Sequence, residues 1–125
     1  MTRDEKLRAA LNPSTPPEVL AQLARDEDHY VKCNVAANLS TPPEVLAQLA
    51  RDVSANTRWN VALNPSTPIE VLLSLARGIE PSVKWYVAQN TSTPLEVLLI
   101  LMVDDVEYVR QVAQQIIHDR THACT

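Results

Sequence analysis

The pattern Thr-Pro-x-Glu-Val-Leu begins at Thr15, Thr41, Thr67 and Thr93, each time 26 residues after the last. That period limits the fold severely. Every copy must form the same local structure, and a unit this short cannot bury its apolar face alone, so neighbours have to stack into a quasi-linear array. Segments 15–26 and 41–52 are identical at every position, the mark of a duplicated unit, whereas the third and fourth copies have drifted. The spacing divides the chain into a leading half-unit (1–14), four units (15–40, 41–66, 67–92 and 93–118) and a tail (119–125).

Two short helices are expected in each unit. Thr, then Pro, then Glu three residues after the Thr reads as a capping box with Pro at the first helical position. The apolar residues that follow, Val19, Leu20, Leu23 and Ala24, recur as Val45, Leu46, Leu49 and Ala50 with helical spacing. A second helix is expected to start near Asp28, Ser54, Glu80 and Asp105. It buries Val31, Val35 and Ala36, matched by Thr57, Val61 and Ala62 and by Val83, Val87 and Ala88. Asn12, Asn38, Asn64 and Asn90 are placed to end it in the left-handed conformation that asparagine tolerates. Helices this short are marginal alone, so stacking has to stabilise them. The ends read as caps: Thr2 and Glu5 form a capping box before a charged first helix. At the far end, 105–117 forms a longer closing helix that slips one residue out of register.

Composition narrows the function. The 125 residues hold 46% hydrophobic and 21% charged side chains, a globular balance, with nine prolines but one glycine. A net charge of -4 works against general affinity for nucleic acid or anionic membrane. No apolar run reaches a membrane span, the first residues are too charged for a signal sequence, and Cys33 and Cys124 form no framework, so a cytoplasmic protein is expected. A phosphate cradle is hard to build with one glycine, and no nucleophile elbow or zincin motif is present, so no catalytic residue and no cofactor is expected. His118, His122 and Cys124 have spacing that could ligate a metal, but three ligands in a tail without a second cluster are a weak signal, and no metal is expected.

The unit Thr-Pro-x-Glu-Val-Leu-x-x-Leu-Ala-x-Asp, followed by Val-Lys/Arg-x-x-Val-Ala-x-Asn-x-Ser-Thr-Pro, resembles the leucine-rich repeat variant family over roughly residues 5–118. The resemblance implies an all-α, right-handed superhelical solenoid of two parallel helical layers, one of them partly 3-10. A member of that family carries an iron-sulfur cluster on an N-terminal cysteine-rich segment. No cysteine precedes Cys33 here, so no cluster is carried over.

Repeats supply an internal control: a residue recurring in every unit belongs to the scaffold, and one that varies at an exposed position is a candidate for function. Asn38 and Asn90 match a glycosylation pattern, but Pro follows Asn12 and Asn64, so the column is structural. Lys32, Arg58, Lys84 and Arg110 form a basic column, and beside it Cys33, Trp59, Trp85 and Gln111 lie opposite the buried stripe, with Tyr86 next to Trp85. Exposed aromatics beside basic residues suit a binding surface. The expected function is therefore a non-catalytic scaffold that binds a protein or peptide across the second-helix face through Trp59, Trp85, Tyr86, Arg58, Lys84, Lys32 and Arg110. Two alternatives are nucleic-acid binding, with the basic column on phosphates and the tryptophans on bases, and a spacer or fragment of a longer array. The first helices also turn more apolar, to Ile69, Leu73, Leu95, Leu99 and Ile100. The closing helix is expected to pack there; otherwise the patch serves self-association.

Overall fold

The computed structural model describes residues 1–122. Among them lie nine helices and no strand: α1 (Arg3–Leu11), α2 (Pro17–Leu23), α3 (His29–Ala37), α4 (Pro43–Leu49), α5 (Ala55–Leu63), α6 (Ile69–Ala76), α7 (Pro81–Gln89), α8 (Leu95–Leu101) and α9 (Glu107–His122). The even-numbered helices start 26 residues apart, and so do α3, α5, α7 and α9. Odd-numbered helices pack side by side as one layer, and the even-numbered ones form the other. Contact is closest in the odd layer, while grooves stay open between α2 and α4 and between α4 and α6. A stack that is tighter in one layer bends toward it, which puts the odd helices on the inner side of the curve.

The expected core is largely the observed one, with Val19 and Ala50 only partly buried against it. Leu20, Leu23 and Ala24 of the first unit and Val45, Leu46 and Leu49 of the second are buried, as are Val31, Val35, Ala36 and their equivalents through Val87 and Ala88. Both layers are α-helical among the described residues, and no 3-10 segment stands on its own. Single i to i+3 bonds do bracket the short even helices, as from Val19 N to the Pro16 carbonyl and from Arg25 N to the Gln22 carbonyl.

Two junction residues act otherwise than their spacing predicts. The repeated threonine does not cap the helix it precedes; Pro16, Pro42, Pro68 and Pro94 occupy the N-cap position and no side chain bonds there. Instead Thr15, Thr41, Thr67 and Thr93 donate Oγ1–H back to the carbonyls of Ala9, Val35, Val61 and Val87 at 2.6–2.7 Å. The extended proline displaces the helix start by one residue, and the hydroxyl adds a second bond to a last-turn carbonyl that also accepts from the asparagine backbone N–H. Only Thr2 and Glu5 form the reciprocal capping box.

The asparagine column does not adopt the left-handed conformation either. Asn12, Asn38, Asn64 and Asn90 have extended backbone, with φ between -68 and -78°. Their side chains carry the junction. Asn64 Nδ2 donates to the carbonyls of Ala36 and Asn38, both at 2.9 Å, while its Oδ1 accepts from Ser66 N. Asn38 and Asn90 repeat this set on the unit before them, so one buried rung ties each unit to the last. Asn34 and Asn60 form a second set, donating to the Leu7 and Cys33 carbonyls.

The closing helix keeps register rather than slipping. Val109 and Ala113 are fully buried at the places of Val83 and Val87, and the helix runs through 119–122 instead of leaving a free tail there. At the position of the next asparagine stands Ile116, and Arg120, one turn on, reaches back to the carbonyls of Thr93 and Asn90. The guanidinium thus terminates the ladder.

Asn64 satisfies two carbonyls and an N–H from within the core, whereas Asn12 only accepts from Ser14 N at the exposed first rung. Asn64→Ala is expected to cost about 3–5 kcal/mol and Asn12→Ala about 1 kcal/mol or less, read by urea denaturation. Similar losses at both sites would contradict the ladder. Thr57, fully buried where the other units have valine, leaves Oγ1 without a partner. Thr57→Val should raise stability by about 1 kcal/mol in the same assay.

Candidate partner-binding face

The basic column lies beside the odd layer, where the helix turns place it against the next interhelix loop. Lys32 Nζ meets Asp52 at 2.9 Å and Lys84 Nζ meets Asp104 at 2.6 Å, a link also made by Lys6 to Asp26. Where the aspartate column has Gly78, Arg58 takes its place in the ladder by pairing with Glu80 at 2.6 Å and donating to the Asp52 carbonyl. Arg110 donates to the Asp104 and Asp105 carbonyls. These heads are therefore engaged between and within units. The Lys32, Arg58 and Lys84 side chains are largely enclosed, at 15%, 18% and 12% exposed.

Burial alone would push the Asp52 and Asp104 carboxyls up. The lysine ammonium and a backbone N–H, from Ser54 and Val106 respectively, outweigh it and hold both below the ordinary carboxylate range. Asp26 is lowered first by its bond from Lys6.

The aromatic residues come together more closely than stacked units alone would bring them. Tyr86 sits between the two indoles: its ring centroid is 5.6 Å from Trp59, tilted by 38°, and 5.2 Å from Trp85, edge to face at 89°. Trp59 Nε1 donates to Ser82 Oγ at 3.0 Å, and Trp59 and Tyr86 also rest on the C-terminal half of the core. All three remain half-buried. Tyr86 occupies the place of Asn34 and Asn60, so this unit gives up the second hydrogen-bond rung for ring packing. Cys33, in the column of the tryptophans, accepts from Asn60 Nδ2 at its carbonyl and sulfur, and burial pushes its thiol up, as in a packing residue.

Column analysis alone missed what these positions share. The outward positions of the odd layer read Tyr30, Cys33, Asn34 and Ala37 on α3, then Asn56, Trp59, Asn60 and Leu63 on α5. They continue as Ser82, Trp85, Tyr86 and Gln89 on α7 and Tyr108, Gln111, Val112 and Gln115 on α9. None of these carries a charge, whereas the same positions on α1 hold Asp4, Leu7, Arg8 and Leu11, so the charge-free stretch runs from α3 to α9 and not over the whole layer. The signal was present in the sequence as four columns read together.

On the opposite layer, Ile69, Leu95 and Leu99 are 52%, 50% and 47% exposed, with Leu73 and Ile100 half-buried between them. The closing helix packs on α7 and α8 and leaves this patch open, contrary to the expectation that it covers it. His118 and His122 stack at 4.1 Å on α9, while Cys124 lies outside the described residues. Among the described residues no three His, Cys, Asp or Glu side chains gather as metal ligands, and no helix is long and apolar enough to cross a membrane.

Compared with known proteins, residues 3–28, one full period, match the family model described as leucine rich repeat variant. No curated protein and no solved structure matches the chain.

The depressed carboxyls make an acid prediction. A folded-state value below the unfolded one contributes stability that is present above the ordinary carboxylate value and lost as pH falls through the folded one. Thermal stability should hold from neutral pH to about 5 and decline below about 4. Asp104→Asn should lower the melting temperature at neutral pH and flatten the acid limb; an unchanged acid limb would mean that the carboxylate ladder does not govern it.

Proposed function

We propose that this chain, a leucine rich repeat variant solenoid, is a non-catalytic scaffold that takes a protein or peptide segment along the outward face of α3, α5, α7 and α9. The observation that carries the reading is the charge-free face with Trp59, Tyr86 and Trp85 at its middle. Interface centres are depleted of charge and enriched in aromatics, and tryptophan and tyrosine most often dominate binding energy. Exposed Asn56 and Gln89 offer amides to a partner's backbone without desolvating an ion, whereas the Gln111 and Gln115 amides donate to Glu107 and Asp119. The engaged basic column favours this over nucleic acid. Phosphate binding requires cations free to release counterions, and Lys32, Arg58 and Lys84 are already paired with carboxylates.

Trp85 is the informative probe, because Trp59 is also tied to Ser82 and to the core. Peptides selected from a random display library against the folded domain should be rich in apolar residues and should shift the tryptophan emission. Their affinity should drop tenfold or more in Trp85→Ala, a loss of about 1.4 kcal/mol or more, and change little between low and high salt. Oligonucleotides that bind with steep salt dependence, or selected peptides that bind Trp85→Ala as well as wild type, would overturn the assignment.

A further inference from the structure

We infer that the even-layer face of α6 and α8 docks a second copy of this chain, two-fold and antiparallel, with α6 on α6 and α8 on α8. The surface is distinct from the charge-free face of the odd layer. In the first two units the equivalent positions hold Pro17, Ala21, Pro43 and Ala47; in the last two they become Ile69, Leu73, Leu95 and Leu99. Val103, just past α8, adds a side chain 73% exposed. Ile69, Leu95, Leu99 and Val103 thus leave aliphatic groups about half or more exposed on one layer, and exposed apolar side chains gathered on one face suit a contact site.

Charge placement selects the occupant and its direction. Glu70 stands in the first turn of α6 and Arg77 at its C-cap, both exposed and neither ion-paired among the described residues. On α8 the acid recurs as Glu96, but the position equivalent to Arg77 is Val103. A two-fold axis running along the stacking direction, through Leu73 and Leu99, reverses the helices. It sets Glu70 of each copy against Arg77 of the other and Leu95 against Val103, while Leu73 and Leu99 meet their own equivalents. An axis parallel to the helices would instead face Glu70 with Glu96, like charge on like. The surface is thus self-complementary in one orientation, which an isologous contact requires. Four exposed aliphatic side chains a copy make a contact smaller than the standard interface of about 1,600 Å², so a weak, concentration-dependent dimer is expected.

Sedimentation velocity from low micromolar into the hundreds of micromolar tests this on the full chain. The expected result is a rise from monomer to dimer across that range. Leu99→Glu, at an exposed position, should hold the protein monomeric with unchanged far-ultraviolet circular dichroism. Glu70→Arg and Arg77→Glu should each weaken the dimer by about tenfold, and the double exchange should restore most of the affinity. A monomer at every concentration overturns the proposal, as does a dimer insensitive to Leu99→Glu. A double exchange no better than its singles overturns the antiparallel pairing.

Discussion

The rung formed by one buried asparagine between successive units is the interaction on which the rest of this structure depends. A two-helix unit with seven- and nine-residue helices has little independent stability, and its junction leaves helix-end carbonyls inside the molecule. Asn38, Asn64 and Asn90 answer both needs with one side chain: two carbonyls of the preceding unit accept from Nδ2, and a backbone N–H two residues on donates to Oδ1. Leucine would fill the space and strand a carbonyl and an N–H, each at about 1–3 kcal/mol, and the second carbonyl would keep only its backbone donor. The threonine that opens the next unit adds a second bond to a last-turn carbonyl of the unit before it. Apolar burial supplies most of the attraction between units, but these polar residues fix their register and spacing.

The ion-pair ladder shows how the scaffold tolerates drift. Lys6, Lys32 and Lys84 each reach an aspartate of the next unit, and at the unit with Gly78 the link survives by exchanging both partners for Arg58 and Glu80. Arginine's longer fork also reaches the Asp52 carbonyl, which a lysine ammonium in the same place would not do with the same geometry. Arg120 makes an equivalent exchange at the end of the asparagine ladder, a guanidinium standing in for an amide.

Helix positions, the buried stripe and the two-layer stack were all legible from the 26-residue period, because burial follows helical spacing that the chain repeats. What was not legible lies at the junctions. Thr-Pro-x-Glu predicts a capping box by its spacing, yet whether a hydroxyl faces forward to accept from its own helix or back to donate to the Ala9 or Val35 carbonyl depends on which group lies nearer in space. Asparagine at a helix end has two uses, a left-handed turn or a hydrogen-bonding side chain, and only the proximity of the neighbouring unit decides between them. The basic column was visible; its pairing was not, since Lys32 and Asp52 are 20 residues apart and face each other only once the units stack. Trp59, Trp85 and Tyr86 were visible as departures from the repeat, but their joining through Tyr86 required the same stacking.

Position 86 shows why departures from a repeat are informative. Asn34 and Asn60 each contribute an inter-unit bond at that place, so replacing the residue with tyrosine gives up a scaffold interaction of about 1 kcal/mol. The ring recovers part of that through Trp59 and Trp85, yet all three aromatics stay partly open to solvent, so packing alone does not account for the exchange. The same reasoning applies to the opposite layer. Pro and Ala give way to Ile and Leu at 69, 73, 95 and 99, where the larger side chains remain about half exposed at three of the four. A scaffold under selection only for its own stability gains little from apolar groups left in water. The two departures meet in the unit 67–92, on opposite layers, so the proposed peptide contact and the proposed self-contact would not compete for one surface.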